Sequence, residues 1–309
     1  IIPDGLENLT FAPTIVISDK ATITPASGVE QDFSSPVIYT VTSEDGIVTT
    51  KYTVSVSGQI RDFGFDEWET IKSSTSGSTE QYDVPKGLYG TSNPGIMTIN
   101  EMFGSNLPEL FSYTVSPVEG QSGKAAKLQT VYTYMFLNGM DFNALLGGLV
   151  PYVTAGSLFT GIFKTDMNNT LNSTKFGVPF VGEPATFTGY YKYTPGTTYY
   201  NNKNEVVADK TDECSIYAVL YEELLDEENN NIPLNGDYND PDLYIGSSKR
   251  IVMKAVLEDG TAKSDWTKFS IPFKLLEGKS YDATKKYYLA IVCSSSAEGD
   301  YFMGAPGST

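Results

Sequence analysis

The chain of 309 residues contains no histidine. Ser–His and Cys–His nucleophile pairs and histidine-ligated zinc or iron sites are therefore unavailable. The chemistry that remains is carboxylate chemistry, acid–base work by lysine or tyrosine, and binding of calcium by oxygen ligands. This single absence excludes most hydrolase and metalloenzyme classes.

Cysteine is nearly absent as well, with Cys214 and Cys293 the only two. Two thiols are too few for a disulfide framework or a four-thiolate metal site. Both lie inside strand-like runs, CSIYAVLY and YYLAIVC. The sequence leaves two alternatives open: buried free thiols, or one bridge between neighbouring strands in an oxidising exterior.

Positive charge is also scarce. The chain has 21 Lys and Arg against 38 Asp and Glu, which gives a formal net charge of -17. No cluster of basic residues reverses this balance locally. A surface this acidic repels phosphate backbones, so the sequence excludes nucleic acid as a partner.

No uninterrupted membrane-spanning run is present. Residues 145–163, LLGGLVPYVTAGSLFTGIF, carry no charge, but glycine, proline and hydroxyl residues interrupt them. A lipid-spanning helix is rarely broken so often, so we expect a loop or short helix followed by a buried strand. The chain begins IIPDGLENLT, which is not a signal peptide and is typical of the interior of a longer precursor.

The residues that are abundant favour strands. Hydrophobic residues make up 40% of the chain and aromatic ones 13%, mainly 21 Tyr and 16 Phe, alongside many Thr, Val and Ile. This composition supports a sizeable core and an all-β fold.

Residues 1–58 are predicted to form a small immunoglobulin-like β-sandwich domain. Pro, Gly, Ser and Asp separate four strand-sized segments: FAPTIVIS, ATITPAS, SPVIYTVTSEDG and TTKYTVSVS. The last two show period-2 alternation, and Glu44-Asp45-Gly46 supplies a hairpin turn between them. A short linker from Gly58 to Phe63 follows.

Residues 64–309 are predicted to form a larger jelly-roll β-sandwich. Strand-like segments joined by loops of Asn, Gly, Asp and Pro recur throughout, without a long helical period. These segments are KAAKLQTVYT, SLFTGIFKT, ATFTGYYKYTP, CSIYAVLYEE, RIVMKAVLEDG, WTKFSIPFKLL and KYYLAIVCSSS.

Alternation within three of these strands predicts a ligand-binding face. In FTGYYKY, the residues Phe187, Gly189, Tyr191 and Tyr193 share the inner side. If the outer sides belong to one sheet, aromatic and lysine side chains cluster on a concave surface suited to sugars. The candidate ligand-binding residues are Tyr190, Lys192, Trp266 and Lys268, with Lys254 in the same cluster and Trp68 as a further aromatic contact or a core plug. The alternative is ordinary cross-strand packing.

Two groups of acidic residues are candidates for a structural calcium site. Asp66, with Glu67, precedes the predicted jelly roll and Asp300 lies near its end, so these side chains are candidates for a shared site. The string NGDYNDPD (235–242) also gathers carboxylates, although it departs from an EF-hand, and a solvated acidic loop is the alternative. The sequence predicts no other cofactor.

Several blocks, in order, resemble one family: FDEW (65–68), LYGTSNPG (88–95), GKAAKLQT (123–130), AGSLFTGIF (155–163), FTGYYKYTPG (187–196), SDWTKFSIPF (264–273) and YYLAIVCSSSAEGDYFMGAPGST (287–309). They are similar to the PCMD family, a "putative carbohydrate metabolism domain" of Bacteroidetes surface lipoproteins. Two features depart from it. Tyr89 stands where a tryptophan is frequent, and the family continues past Thr309 with a further strand of the type LYVDD.

The resemblance implies a jelly-roll fold similar to carbohydrate-binding modules, preceded by an immunoglobulin-like spacer. It also implies a lipid-anchored precursor at the bacterial cell surface or outer membrane. We therefore expect a non-catalytic protein that captures polysaccharide for a neighbouring uptake or degradation system. A structural or adhesive protein without a glycan ligand is the first alternative. A glycoside hydrolase is the second, although no pair of acids stands out by its spacing.

Overall fold

The computed structural model describes residues 10–33, 37–54 and 63–309. The strands, in chain order, are β1 (Thr10–Phe11), β2 (Thr22–Thr24), β3 (Gln31–Asp32), β4 (Val37–Thr42), β5 (Thr49–Val54), β6 (Trp68–Lys72), β7 (Gln81–Pro85), β8 (Tyr89–Thr91), β9 (Val115–Glu119), β10 (Lys124–Leu128), β11 (Val131–Tyr132), β12 (Phe136–Leu137), β13 (Met140–Asp141), β14 (Val153–Thr154), β15 (Ser157–Phe163), β16 (Thr174–Phe176), β17 (Val178–Phe180), β18 (Thr186–Tyr193), β19 (Ser215–Glu222), β20 (Ile251–Val256), β21 (Lys263–Pro272), β22 (Lys274–Leu275) and β23 (Tyr287–Ser294).

Within the described ranges, helix is confined to short segments. They are α1 (Asn93–Phe103), α2 (Phe142–Leu145) and 3₁₀ turns at Gly104–Asn106, Thr170–Ser173 and Gly299–Tyr301. The prediction of an all-β chain is therefore confirmed. The chain divides into two compact units, with the boundary between Phe63 and Gly64 and the short segment Gly182–Ala185 grouped with the first unit.

The first unit contains a sheet of order β2-β4-β5 and the pair β1-β3. Its predicted hairpin is present: β4 and β5 pair in register, and Asp45 closes the turn by accepting from the Ile47 N–H. The predicted strand over residues 11–18 is wrong, because only Thr10–Phe11 pair there. Most of the predicted linker lies outside the described residues.

The second unit is built on an antiparallel sheet of order β16-β15-β23-β19-β20-β22, with β8 added on β15 and β17 on β23. Strand β19 is buried on both faces, as a central strand covered on both sides must be. On one face, Tyr221, Phe159 and Val292 form the main apolar cluster. On the other face, Ile216 and Cys293 contact side chains of β18 and β21.

Strands β18 and β21 form a separate two-stranded ribbon that covers this second face. Tyr191 and Tyr193 point inward and are buried, and Phe187 packs beside them, as the alternation predicts. The predicted single strand over residues 124–133 is instead two, β10 and β11, which pair with different partners. Residues 145–163 form a loop and then the buried strand β15, as predicted.

Helix α1 was not expected from the sequence. Pro94 stands in its first turn, where a missing N–H costs nothing, and Ile96 and Ile99 are spaced to share one face. These two side chains are buried against Met135 and Leu137. The apolar face of the helix thus packs against the inward side chains of Met135 and Leu137.

A buried carboxylate anchors the C-terminal segment. Asp212 Oδ2 accepts from Ser296 Oγ at 2.6 Å, from the Ala305 N–H at 2.8 Å and from Ser308 Oγ at 2.8 Å. Burial raises the pKa of Asp212, although these hydrogen bonds oppose the rise. The segment 295–308 is thereby held against the chain that leads into β19.

Candidate functional site: two aromatic surfaces

The ribbon brings together four of the five side chains predicted to bind a ligand. Tyr190 lies opposite Lys268 in the β18–β21 register, and the Lys192 Nζ stands 5.3 Å from the centre of the Trp266 ring. Tyr190 is 47% exposed, both lysines are exposed and Trp266 is half-buried. We call these four outward side chains the ribbon face.

Two expected members lie elsewhere. Lys254 belongs to β20 in the large sheet, and its Nζ donates to the Gly246 carbonyl at 3.1 Å. The expectation that one sheet carries Lys254 with the ribbon lysines is therefore wrong, since neither β18 nor β21 pairs with a strand of that sheet. Trp68 lies on β6, paired with β7, and its indole N–H donates to the Phe65 carbonyl at 2.6 Å.

A second aromatic surface runs along residues 132–136 and was not predicted. The Tyr132 ring lies 5.6 Å from Tyr134, which lies 6.2 Å from Phe136 and 5.8 Å from Tyr152. Tyr200 extends the row at the other end, stacked on Tyr132 at 5.0 Å. We call these five side chains the aromatic row. Phe136 is 60% exposed, and the four tyrosines are half-buried.

The backbone beneath the aromatic row is held by a buried amide. Asn143 Oδ1 accepts from the Met135 N–H at 2.6 Å, and its Nδ2 donates to the Thr133 carbonyl at 2.9 Å. Met135 and Leu137 alternate with the row and pack inward on α1. The rings of Tyr132, Tyr134 and Phe136 thus project from a segment that is held by the Asn143 hydrogen bonds and by the packing of Met135 and Leu137.

Polar groups flank the rings. The Tyr132 hydroxyl donates to Asn204 Oδ1 at 2.5 Å, and the Tyr152 hydroxyl donates to Asp141 Oδ2 at 3.0 Å. Burial raises the pKa of both tyrosines, so their hydroxyls stay protonated over the physiological range. The row therefore combines flat apolar faces with hydrogen-bonding groups beside them, the combination with which proteins bind pyranose rings.

The sequence carries two signals for this surface. Tyr132, Tyr134 and Phe136 alternate with inward residues, and Asn138-Gly139 is the strongest short hairpin signal, here with both residues at positive φ. The contribution of Tyr200 had no such signal, because it stacks on a residue 68 positions earlier in the chain.

The two carboxylates predicted to hold calcium have separate partners. Asp66 Oδ1 accepts from the Lys124 N–H at 2.9 Å, while Asp300 Oδ2 accepts from the Tyr244 hydroxyl at 3.3 Å. Burial raises the pKa of Asp300, which disfavours its charged form. Across residues 10–33, 37–54 and 63–309, no three Asp, Glu, His or Cys side chains are grouped closely enough to hold a metal ion. The calcium site stays a prediction.

The acidic loop 235–242 satisfies its own carboxylates. Asp237 is buried and accepts from Asn169 Nδ2 at 2.7 Å and from the Asn239 N–H at 3.0 Å. Asp240 accepts from the Asp242 N–H at 3.1 Å. These hydrogen bonds order the loop. The alternative of a solvated acidic loop is therefore wrong for Asp237, which is buried.

Comparison with known families supports the resemblance noted above. The family described as "Putative carbohydrate metabolism domain", PCMD, matches residues 64–309. The chain belongs to the PCMD family. A second family, described as "SGBP, N-terminal", matches residues 1–56 of this PCMD protein. These matches indicate a carbohydrate-related function, and both aromatic surfaces lie within the matched residues 64–309.

Two solved structures are similar to this PCMD chain. One, described as a putative glycoside hydrolase from Bacteroides thetaiotaomicron VPI-5482, is 32% identical, with a TM-score of 0.61 over 99% of this chain and 85% of the other. The second, described as a putative glycoside hydrolase from Bacteroides vulgatus ATCC 8482, is 26% identical, with a TM-score of 0.58 over 80% and 92% of the two chains. No curated protein matches the PCMD chain.

Within the described residues, neither helix of this PCMD protein has the length and hydropathy that crossing a bilayer requires.

Proposed function

We propose that this PCMD protein is a non-catalytic carbohydrate-binding protein that holds glycan chains against the aromatic row. The observation that carries the proposal is the continuous run of rings from Tyr200 through Tyr132 and Tyr134 to Phe136, with centres 5.0 to 6.2 Å apart. Successive sugar rings stack on such a surface through their C–H faces, while Asn204 and Asp141 lie beside it to accept from hydroxyls.

The ribbon face is proposed as a second, smaller contact. Its Trp266 ring is already engaged by Lys192, which leaves Tyr190 as the more accessible ring. Lys192 and Lys268 are exposed and can donate to sugar hydroxyls. Two surfaces on one chain would raise the apparent affinity for long polysaccharides through avidity.

The proposal is tested by a glycan array followed by affinity electrophoresis on the polysaccharides that bind. Phe136→Ala is expected to weaken binding about tenfold, a loss of about 1.4 kcal/mol, because it removes an exposed ring from the row. The matched control is Tyr52→Ala, which removes a 54% exposed tyrosine from the first unit and should leave binding unchanged. Trp266→Ala measures how much of the binding free energy comes from the ribbon face.

Three outcomes would overturn the proposal. Binding that survives both Phe136→Ala and Tyr134→Ala excludes the aromatic row as the site. Binding lost only in Trp266→Ala moves the site to the ribbon face. A folded protein that retains no polysaccharide at all favours the structural or adhesive alternative.

The alternative of glycoside hydrolysis is favoured by the descriptions of the two similar structures. A hydrolase of the usual kind needs two carboxyl groups about 5 or about 6.5–9.5 Å apart across a cleft. Release of new reducing ends from a bound polysaccharide would establish catalysis in place of simple capture.

We also propose that the protein acts at the bacterial cell surface from a lipid-anchored precursor. The match of residues 1–56 to the SGBP N-terminal family supports this location. Surface protease treatment of intact cells, with detection of residues 64–309, tests it. Protection of the protein until the cells are lysed would overturn it.

A further inference from the structure

The segment that carries most of the aromatic row has no positive side chain. Residues 128–163 contain neither lysine nor arginine, and Asp141 is their single charged residue. Four of the five rings of the row come from this segment, and the fifth, Tyr200, comes from a later one. The segment therefore offers no cation that could pair with an anionic sugar.

Asp141 lies beside the exposed end of the row. In the β12–β13 hairpin it pairs with Phe136, and the side chains of directly opposed residues stand on the same face, about 5 Å apart. Its Oδ1 accepts from the Ala144 N–H and its Oδ2 from the Tyr152 hydroxyl, each at 3.0 Å. Both oxygens keep the capacity to accept a further hydrogen bond from a sugar hydroxyl. A carboxylate is thus fixed where a glycan on the row would pass Phe136.

The turn at the other end of the row, residues 201–205, carries balanced charge. Lys203 is its one basic residue and Glu205 its one acidic residue, and both side chains are exposed. The next cation along the chain, Lys210, is paired with Glu298 and lies 4.4 Å from the centre of the Tyr199 ring. Its charge is therefore already compensated. Neither the turn nor Lys210 offsets the carboxylate at the Phe136 end.

The hydroxyls of the row respond to this carboxylate. Burial raises the pKa of Tyr132 and of Tyr152, and the Asp141 charge raises both further. A negative charge that opposes ionisation of a phenol also opposes a second carboxylate placed beside it. Around these hydroxyls, a neutral sugar is favoured over an acidic one.

The ribbon face has the opposite character. Lys192 and Lys268 stand beside Tyr190 and Trp266, and both lysines are exposed. Ammonium groups form charge-assisted hydrogen bonds with carboxylate and sulfate groups. The two aromatic surfaces of the chain therefore differ in the sign of the charge beside their rings, and a single set of glycans can distinguish them.

We propose that the aromatic row selects uncharged polysaccharides and rejects those whose sugars carry carboxylate or sulfate groups. A neutral hydroxyl beside Phe136 donates to Asp141, whereas an acidic group in the same place meets a like charge without a compensating cation. This inference rests on the proposed binding of glycans to the row and names their chemical class.

The first test is affinity electrophoresis at low ionic strength on neutral and acidic polysaccharides. The neutral set is pullulan, galactomannan, arabinoxylan and laminarin, and the acidic set is polygalacturonate, alginate, hyaluronan and chondroitin sulfate. Every polysaccharide whose binding falls in Phe136→Ala is expected to be neutral. Acidic polysaccharides should bind weakly or through the ribbon face, in which case Trp266→Ala removes their binding and Phe136→Ala does not.

The second test adds charge to one backbone. Pullulan and galactomannan are compared before and after oxidation of their C6 hydroxyls to carboxylates, and oxidation should weaken binding about tenfold. Asp141→Asn removes the charge and keeps an oxygen acceptor, so the affinity for the oxidised form relative to the native form should rise about fivefold. Glu277→Gln is the matched control. It makes the same change of net charge in an exposed turn after β22 and should leave this ratio unchanged.

If Asp141→Asn does not fold, Glu205→Gln removes a carboxylate from the exposed turn beside Tyr200 and should raise the same ratio to a smaller extent. An acidic polysaccharide whose binding is lost in Phe136→Ala would overturn the inference while leaving glycan binding by the row in place. An equal rise of the ratio in Glu277→Gln would overturn it too, by assigning the selection to net charge. Failure of every polysaccharide to bind would instead remove the proposed function, and this inference with it.

Discussion

At the scale of single residues, the two thiols show how position decides reactivity. Cys214 is buried in the cluster beneath the ribbon, and Cys293 packs against the same cluster from β23. Both are free cysteines in the structure. Burial raises the pKa of each thiol from 9.0 to about 12. Since the thiolate is the reactive form, we expect neither cysteine to be reactive in the folded chain.

We expect both thiols to resist iodoacetamide in the native protein at pH 8 and to react fully in guanidinium chloride. A raised folded-state pKa favours the protonated thiol, so its contribution to stability is complete below pH 9 and is lost as the pH rises toward 12. Labelling of the native chain should therefore begin only in strongly alkaline solution. Mass spectrometry counts the adducts, and one native adduct at pH 8 would contradict the expectation.

At the scale of elements, the ribbon depends on a glycine facing an aromatic ring. Gly189 pairs with Phe269 across β18 and β21, and a Cβ atom there would lie 2.6 Å from the Phe269 ring. That ring makes edge contacts with Phe187 at 5.0 Å and with Tyr191 at 6.2 Å. The absent side chain thus allows Phe269 to cover the ribbon backbone and join the cluster below.

Gly189→Ala is expected to destabilise the protein by about 1–3 kcal/mol, because the Phe269 ring must leave its place. The matched control is Thr188→Ala on the outer side, which should change the free energy of unfolding by less than about 0.5 kcal/mol. Urea unfolding followed by tryptophan fluorescence measures both variants. Equal stabilities would show that the ring moves aside without cost.

At the scale of the whole molecule, the clusters centred on Tyr221, Ile96 and Tyr193 all lie after residue 63. The buried Asp212 bonds, which join the C-terminal segment to the chain before β19, lie there too. Both aromatic surfaces belong to this same unit. The larger unit therefore contains the core that its own fold requires.

A chain limited to Gly64–Thr309 is expected to fold alone and to bind polysaccharide as the full chain does. Its thermal unfolding should be cooperative and should match the corresponding transition of the full chain within a few degrees. Calorimetry and affinity electrophoresis check the two parts. A truncated chain that lacks a cooperative transition would show that residues 1–63 contribute to its core.

Local patterns determined several features from the sequence alone. Period-2 alternation identified β4 and β18, and it correctly placed Tyr191 and Tyr193 inside and Tyr190 outside, because each side chain's face follows from its place in its own strand. In β5 it predicted the strand but not the burial, since Tyr52 is exposed. The absence of histidine and the abundance of acid limited the chemistry before any fold was known.

Only the tertiary structure decided which segments meet. It placed Lys254 apart from the ribbon lysines, brought Tyr200 onto Tyr132, and made residues 93–103 a helix that covers Met135 and Leu137. Alternation sets the face of a strand but not its neighbour. The neighbour depends on contacts between segments tens of residues apart, whose free energies no local pattern contains.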